Sequence, residues 1–113
     1  MQHNSLSQQH VLILGLGSSG LAMARWCARC GAQVTVADSR TQPPQLPALQ
    51  KDVPTARFVA GAFATALLDN DVRAVFASPG LSPADTHTVM DAARAKGLWV
   101  GGELDLFAQA LEQ

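Results

Sequence analysis

The chain has 113 residues, 48% of them apolar and 15% charged, with a formal net charge of −1. That length suits one domain with one core and leaves no room for a nucleotide domain plus a separate substrate domain. So balanced a charge gives no electrostatic footprint for nucleic acid or an anionic membrane, and no apolar run approaches the roughly 20 residues of a membrane helix.

Residues 1–9 are polar, lack the basic and apolar regions of a signal peptide, and read as a disordered lead-in; cytoplasmic residence is the expectation. A domain over 10–113 follows. His10 and the run Val11–Leu14 stop abruptly at Gly15, as a short strand buried on both faces does. Gly20–Cys30 then places Gly20, Ala24, Cys27 and Ala28 at helical spacing, and Gly31 is a natural stop. Gln33–Ala37 is a second strand, ending at Asp38. Cys27 and Cys30 form a C-x-x-C pair about two turns into that helix, away from the N-terminus where a redox pair sits. No further ligands stand at zinc spacing, so both read as packing residues.

Prolines punctuate 41–55, with a short helix over about Leu46–Lys51. Arg57–Ala60 is a third strand, Ala64–Asn70 a brief helix, and Arg73–Ala77 a fourth strand ended by Ser78-Pro79-Gly80. Ser82 can cap the next helix, with Pro83 at its first position, running to Lys96 before Gly97. Leu98–Val100 is a fifth strand, and Glu103–Glu112 a helix whose apolar stripe is Leu104, Phe107, Ala108 and Leu111. Strands alternating with helices in this way predict an α/β, Rossmann-like, doubly wound, five-stranded parallel sheet of order 3-2-1-4-5 in a single domain.

The chemistry centres on Gly15-Leu16-Gly17-Ser18-Ser19-Gly20, a G-x-G-x-x-G that follows a strand and opens a helix, with Asp38 18 residues after the last glycine. In such a motif the first glycine makes the turn, the second admits phosphate to the backbone, and the third lets helix meet strand. The free N–H groups at the helix start, aided by its dipole, bind the anion, and Ser18 and Ser19 can add hydroxyl donors. Asp38 can accept from the ribose hydroxyls of NAD or equally from N3–H of a uracil, and it would repel a 2′-phosphate. Arg40 can stack on a base. Ser78-Pro79-Gly80 ends the strand across the switch point, so all three loops face one crevice. His87 reads as a surface histidine. Glu103 reads as complementing its helix N-terminus, and no catalytic or metal constellation is evident.

Taken in order, GLGSSG, DSR at 38–40, SPG at 78–80 and GGELDLF at 101–107 resemble the N-terminal domain of the Mur ligases, most nearly the UDP-N-acetylmuramoyl-L-alanine:D-glutamate ligases. The resemblance runs from about Val11 to the end; the family often has threonine where Ser39 stands. It implies a three-domain, ATP-dependent, cytoplasmic enzyme of peptidoglycan synthesis, and so of cell-wall biogenesis, cell shape and division. The first domain of such an enzyme holds the UDP part of UDP-N-acetylmuramoyl-L-alanine, the central one binds ATP and magnesium, and the last closes over the amino acid. Carried over, Gly17, Ser18, Ser19 and Gly20 would hold the diphosphate. Asp38, Ser39 and Arg40 would surround the uracil, and Ser78, Pro79 and Gly80 would line the pocket toward the sugar. The family's ATP loop is not in this sequence, so the fragment should need no cofactor of its own, should bind without catalysing, and should have the rest of the ligase as its partner. The glycine motif with Asp38 equally fits an NAD-binding regulatory module of the channel-associated kind. That reading gives the SPG and GGELDLF segments no role.

Overall fold

Val11, Leu12, Ile13 and Leu14 are all fully buried, which places strand β1 (His10–Leu14) at the centre of the sheet with both faces covered. The computed structural model describes residues 6–68 and 71–111. It contains a parallel sheet of order β3-β2-β1-β4-β5, as the alternation predicts, with β2 at Gln33–Asp38, β3 at Arg57–Ala60, β4 at Val72–Ala77 and β5 at Trp99–Gly102. Val11 and Ile13 face a layer formed with helices α1 (Ser18–Arg29), α2 (Leu46–Asp52) and α4 (Glu103–Leu111). Leu12 and Leu14 face the opposite layer, built on Val89, Met90 and Ala93 of α3 (Pro83–Ala95). Phe76 of β4 is fully buried and meets Trp99 of β5 edge-on at 5.0 Å, joining the last two strands.

Two bonds carry the ladders past the strand ends. Gly15 N–H donates to Ala37 O (2.7 Å), and Ser78 N–H donates to Leu14 O (2.9 Å). They fix the loops after β1, β2 and β4 at the same rim, where the strand order reverses between β1 and β4.

Several elements differ from the sequence expectation. The helix expected over 64–70 is a single 3-10 turn, Thr65–Leu67, held by i→i+3 bonds; Asp69 and Asn70 lie outside the described residues. Ala64 at the N-cap of this turn offers no side-chain acceptor to it, and the segment keeps the i→i+3 form common in short connectors. Strand β5 starts at Trp99 and takes in both glycines, pairing Phe76 with Gly101 and Ala77 with Gly102. Leu98 instead closes α3, donating to Ala93 O beyond a left-handed Gly97 (φ +77°). Ser82 stands at the N-cap of α3, yet its hydroxyl bonds the Asp85 carboxylate and no backbone N–H.

Helix α4 buries Leu106 and packs Phe107 of the expected stripe against Trp26, while Leu104 of that stripe is 85% exposed, so the buried face is turned from Leu104 toward Leu106. Phe107 is in the expected stripe and Leu106 beside it is not, and spacing alone does not say on which side of Phe107 the buried face is centred. Of the expected lead-in, residues 1–5 lie outside the described residues. Residues 6–9 form a turn with Leu6 buried and Gln8 N–H on Gly31 O. Cys27 is fully buried in the α1 layer and Cys30 half-buried at the helix C-cap, both as free thiols. Burial, reinforced by the neighbouring Cys30, pushes the Cys27 thiol up to about 12, which suits a packing residue and not a redox pair.

Candidate functional site

The three glycines of the turn stand in different surroundings. Gly15 has φ +94°, and a Cβ there would lie 2.9 Å from Leu81 Cδ1 and 3.2 Å from Ser78 Cβ. At Gly20 a Cβ would sit 1.9 Å from Gly15 O, so this glycine is what lets α1 approach β1. Gly17 differs from both. Its φ of −101° and ψ of −160° suit any residue, and a Cβ would meet no atom within 4 Å. Nothing in the protein's own packing requires glycine at 17, which faces an open cleft. Gly17 is also the N-cap of α1, which has no side-chain cap and no acid in its first turn. The N–H groups of the first turn thus point outward with the positive end of the helix dipole behind them.

Asp38, at the end of β2, is 3% exposed. Its Oδ2 accepts from Leu16 N–H (2.8 Å) and Arg40 Nη2 (2.9 Å), and its Oδ1 from Arg40 N–H and Arg40 Nε (both 2.9 Å). The fork of the guanidinium thus closes on the carboxylate two residues away, and the Leu16 bond ties the β2 loop to the glycine turn. The Arg40 guanidinium bonds, helped by the two backbone N–H groups, hold the Asp38 carboxyl at about 2 against the opposing effect of burial. All four lone-pair positions of Asp38 are therefore taken up by its own chain.

Ser78 is buried and donates its hydroxyl to Gly15 O (3.0 Å), locking the β4 loop to the turn from the other side. Together the three loops enclose a cleft of about 410 Å³ lined by Gly15, Leu16, Gly17, Ser18, Ser19, Asp38, Ser39, Arg40, Ser78, Gly80 and Leu81. Two residues expected there are not in its wall. Gly20 lies beneath the turn against Gly15 O, and Pro79 is turned to solvent. Gly15, Leu16 and Leu81 line the cleft without having been singled out as binding residues. Leu16 lies inside the glycine motif, and Leu81 directly follows Gly80. The sequence reading also leaves out a contact at the rim, where Ser19 Oγ donates to Glu103 Oε1 at 3.3 Å. Away from the cleft, His87 is exposed with Nδ1 near Ala84 O (3.1 Å). No helix among the described residues is long and apolar enough to cross a membrane.

Residues 9–102 match the family model of the Mur ligase MurD-like N-terminal domain. The chain is 66% identical over 109 residues to a UDP-N-acetylmuramoylalanine–D-glutamate ligase of Albidiferax ferrireducens, an alignment covering 96% of this chain and 22% of that protein. It is 59% identical over 112 residues to the ligase of the same name from a Polaromonas species, covering 98% of this chain and 19% of the relative. The chain therefore spans about a fifth of the length of these curated relatives. Among solved structures, D-lactate dehydrogenase from Escherichia coli superimposes with a TM-score of 0.61 at 17% identity, covering 87% of this chain and 29% of that one. At that identity the likeness is one of fold.

Proposed function

The chain belongs to the Mur ligase MurD-like N-terminal domain family, and on that premise we propose that its cleft holds the UDP part of UDP-N-acetylmuramoyl-L-alanine. The rest of the protein would then supply ATP-dependent addition of D-glutamate in the cytoplasm. The observation that carries this reading is Gly17. It is the one glycine of the turn that neither backbone geometry nor packing demands, and it opens onto outward-facing helix N–H groups. A residue kept bare on that side makes sense when a phosphate has to approach the backbone.

On this reading the diphosphate lies over Gly17, Ser18 and Ser19, the uracil lies beside Asp38, Ser39 and Arg40, and the sugar extends past Ser78 and Gly80. Gly20 and Pro79 contribute by shaping the turns and not by contact. A uracil N3–H directed at Asp38 would have to displace one of the Arg40 N–H groups, because no lone pair is otherwise open. The glycine turn carries no lysine, so ATP and magnesium would be held by another part of the ligase. Only part of the substrate is enclosed here, so affinity for UDP should be weak, on the order of millimolar.

Amide chemical shifts of the isotope-labelled chain, followed during titration with UDP and separately with NADH, test the reading. UDP should move the amides of Gly17, Ser18, Ser19 and Gly80 saturably, with NADH having the lesser effect. Saturation by NADH with no response to UDP would overturn the proposal in favour of a dinucleotide module.

A further inference from the structure

Resting on the nucleotide reading above, we infer that Glu103 is a specificity-determining residue that makes the cleft favour a diphosphate diester over more highly charged phosphates. The charged side chains lining the cleft are Asp38 and Arg40, and they neutralise each other through the two-pronged pair. The first turn of α1 has no acid of its own. The carboxylate that does reach it comes from α4, 84 residues further along the chain, where Glu103 Oε1 accepts from the hydroxyl of Ser19 at 3.3 Å. Ser19 is itself part of the cleft wall. Asp105, the other acid of that turn, is turned aside to accept from Gly102 N–H (2.7 Å) and holds the start of α4 in place. No cation pairs with Glu103 among the ion pairs of the described residues.

A negative charge at this position has two effects on an incoming phosphate. It competes for the Ser19 hydroxyl, which in this structure points at Glu103. It also repels the ligand in proportion to the ligand's charge, while the helix N–H groups attract it. A nucleoside diphosphate joined to a sugar carries one charge on each phosphorus. A free nucleoside diphosphate or triphosphate ends in a monoester that adds about one further charge or more above pH 7. Each extra ligand charge about 6 Å from the carboxylate should weaken binding about threefold in a water-like dielectric. The cleft then accepts the sugar conjugate and disfavours the abundant free nucleotides that share its base.

The test compares the wild-type chain with Glu103→Gln, which keeps the acceptor for Ser19 and removes the charge, and with Glu103→Asp, which keeps the charge. Uridine, UDP-glucose, UDP and UTP are titrated at low salt with EDTA. For Glu103→Gln the affinity for uridine should be unchanged, while the UTP to UDP-glucose affinity ratio should rise about tenfold. That gain should shrink in about 0.5 M salt, and Glu103→Asp should keep the wild-type ratio. Equal changes for all four compounds, or a ratio untouched by Glu103→Gln, would overturn the inference while leaving the nucleotide site standing. If no uridine compound bound to any of the three chains, the nucleotide reading itself would fall, and this one with it.

Discussion

Protonating Asp38 should loosen the joint between the glycine turn and the β2 loop, and the size of the effect follows from its partners. A carboxyl whose pKa falls from its ordinary 3.8 to about 2 on folding contributes at most about 2.4 kcal/mol, at about 1.36 kcal/mol per pH unit. Arg40 is 55% exposed, so solvent screening brings the expected figure to about 1–2 kcal/mol. The sign is that of a depressed acid: the contribution is complete above pH 3.8 and drains away as pH falls through about 2. Other carboxylates titrate in the same range, so the useful quantity is the gap between wild type and Asp38→Asn. Urea unfolding followed by circular dichroism, from pH 7 to about 2.5, should give a gap of about 1–2 kcal/mol at neutral pH that closes by more than half at the acid end, with equal m values. A gap that stays constant across the range, or is absent at pH 7, would refute the four-bond account of Asp38.

Three further outcomes follow from packing. Gly20→Ala should lower stability by about 2–3 kcal/mol or more, because its Cβ would meet the Gly15 carbonyl at 1.9 Å and backbone must move; a thermal midpoint equal to wild type would contradict the close approach. In the native state Cys30 should be alkylated first and Cys27 only on unfolding, since the buried Cys27 thiol is held up to about 12; equal rates in a mass-spectrometric time course would show that Cys27 is not sealed in the core. Leu104→Ser should change the stability of this chain by no more than about 0.5 kcal/mol, since that side chain is 85% exposed, whereas Leu106→Ser should be severe. Similar losses in urea unfolding for the two would mean that the Leu104 side of α4 also meets the core.

How much of this was legible depends on how local each cause is. The strand order could be read because the apolar runs are punctuated, by Gly15 after Leu14, Asp38 at the end of β2 and Ser78 after Ala77, and because right-handed crossovers leave few ways to join them. The same punctuation brings three loops to one rim, and eight of the ten residues singled out there line the cleft. What spacing cannot tell is where a side chain points. Whether Asp38 turns outward or toward its own loop is decided by Arg40, whose fork fits the carboxylate from two residues away. The Ser19–Glu103 contact depends on where β5 delivers α4, a consequence of the whole sheet. By contrast, the division of labour among the glycines was legible. The motif assigns Gly17 to an approaching phosphate and Gly20 to the helix–strand contact, and the structure has Gly17 facing space and Gly20 a carbonyl oxygen.

The central claim is that Gly17 is bare for the sake of a phosphate and not for the fold. Calorimetric titration of UDP into Gly17→Ala, beside urea unfolding of the same variant, tests it most directly. Stability should stay within about 1 kcal/mol of wild type, the difference expected of glycine and alanine at an N-cap, while UDP binding weakens at least about tenfold as the methyl group intrudes on the anion. Unchanged affinity in a folded Gly17→Ala chain would contradict the account.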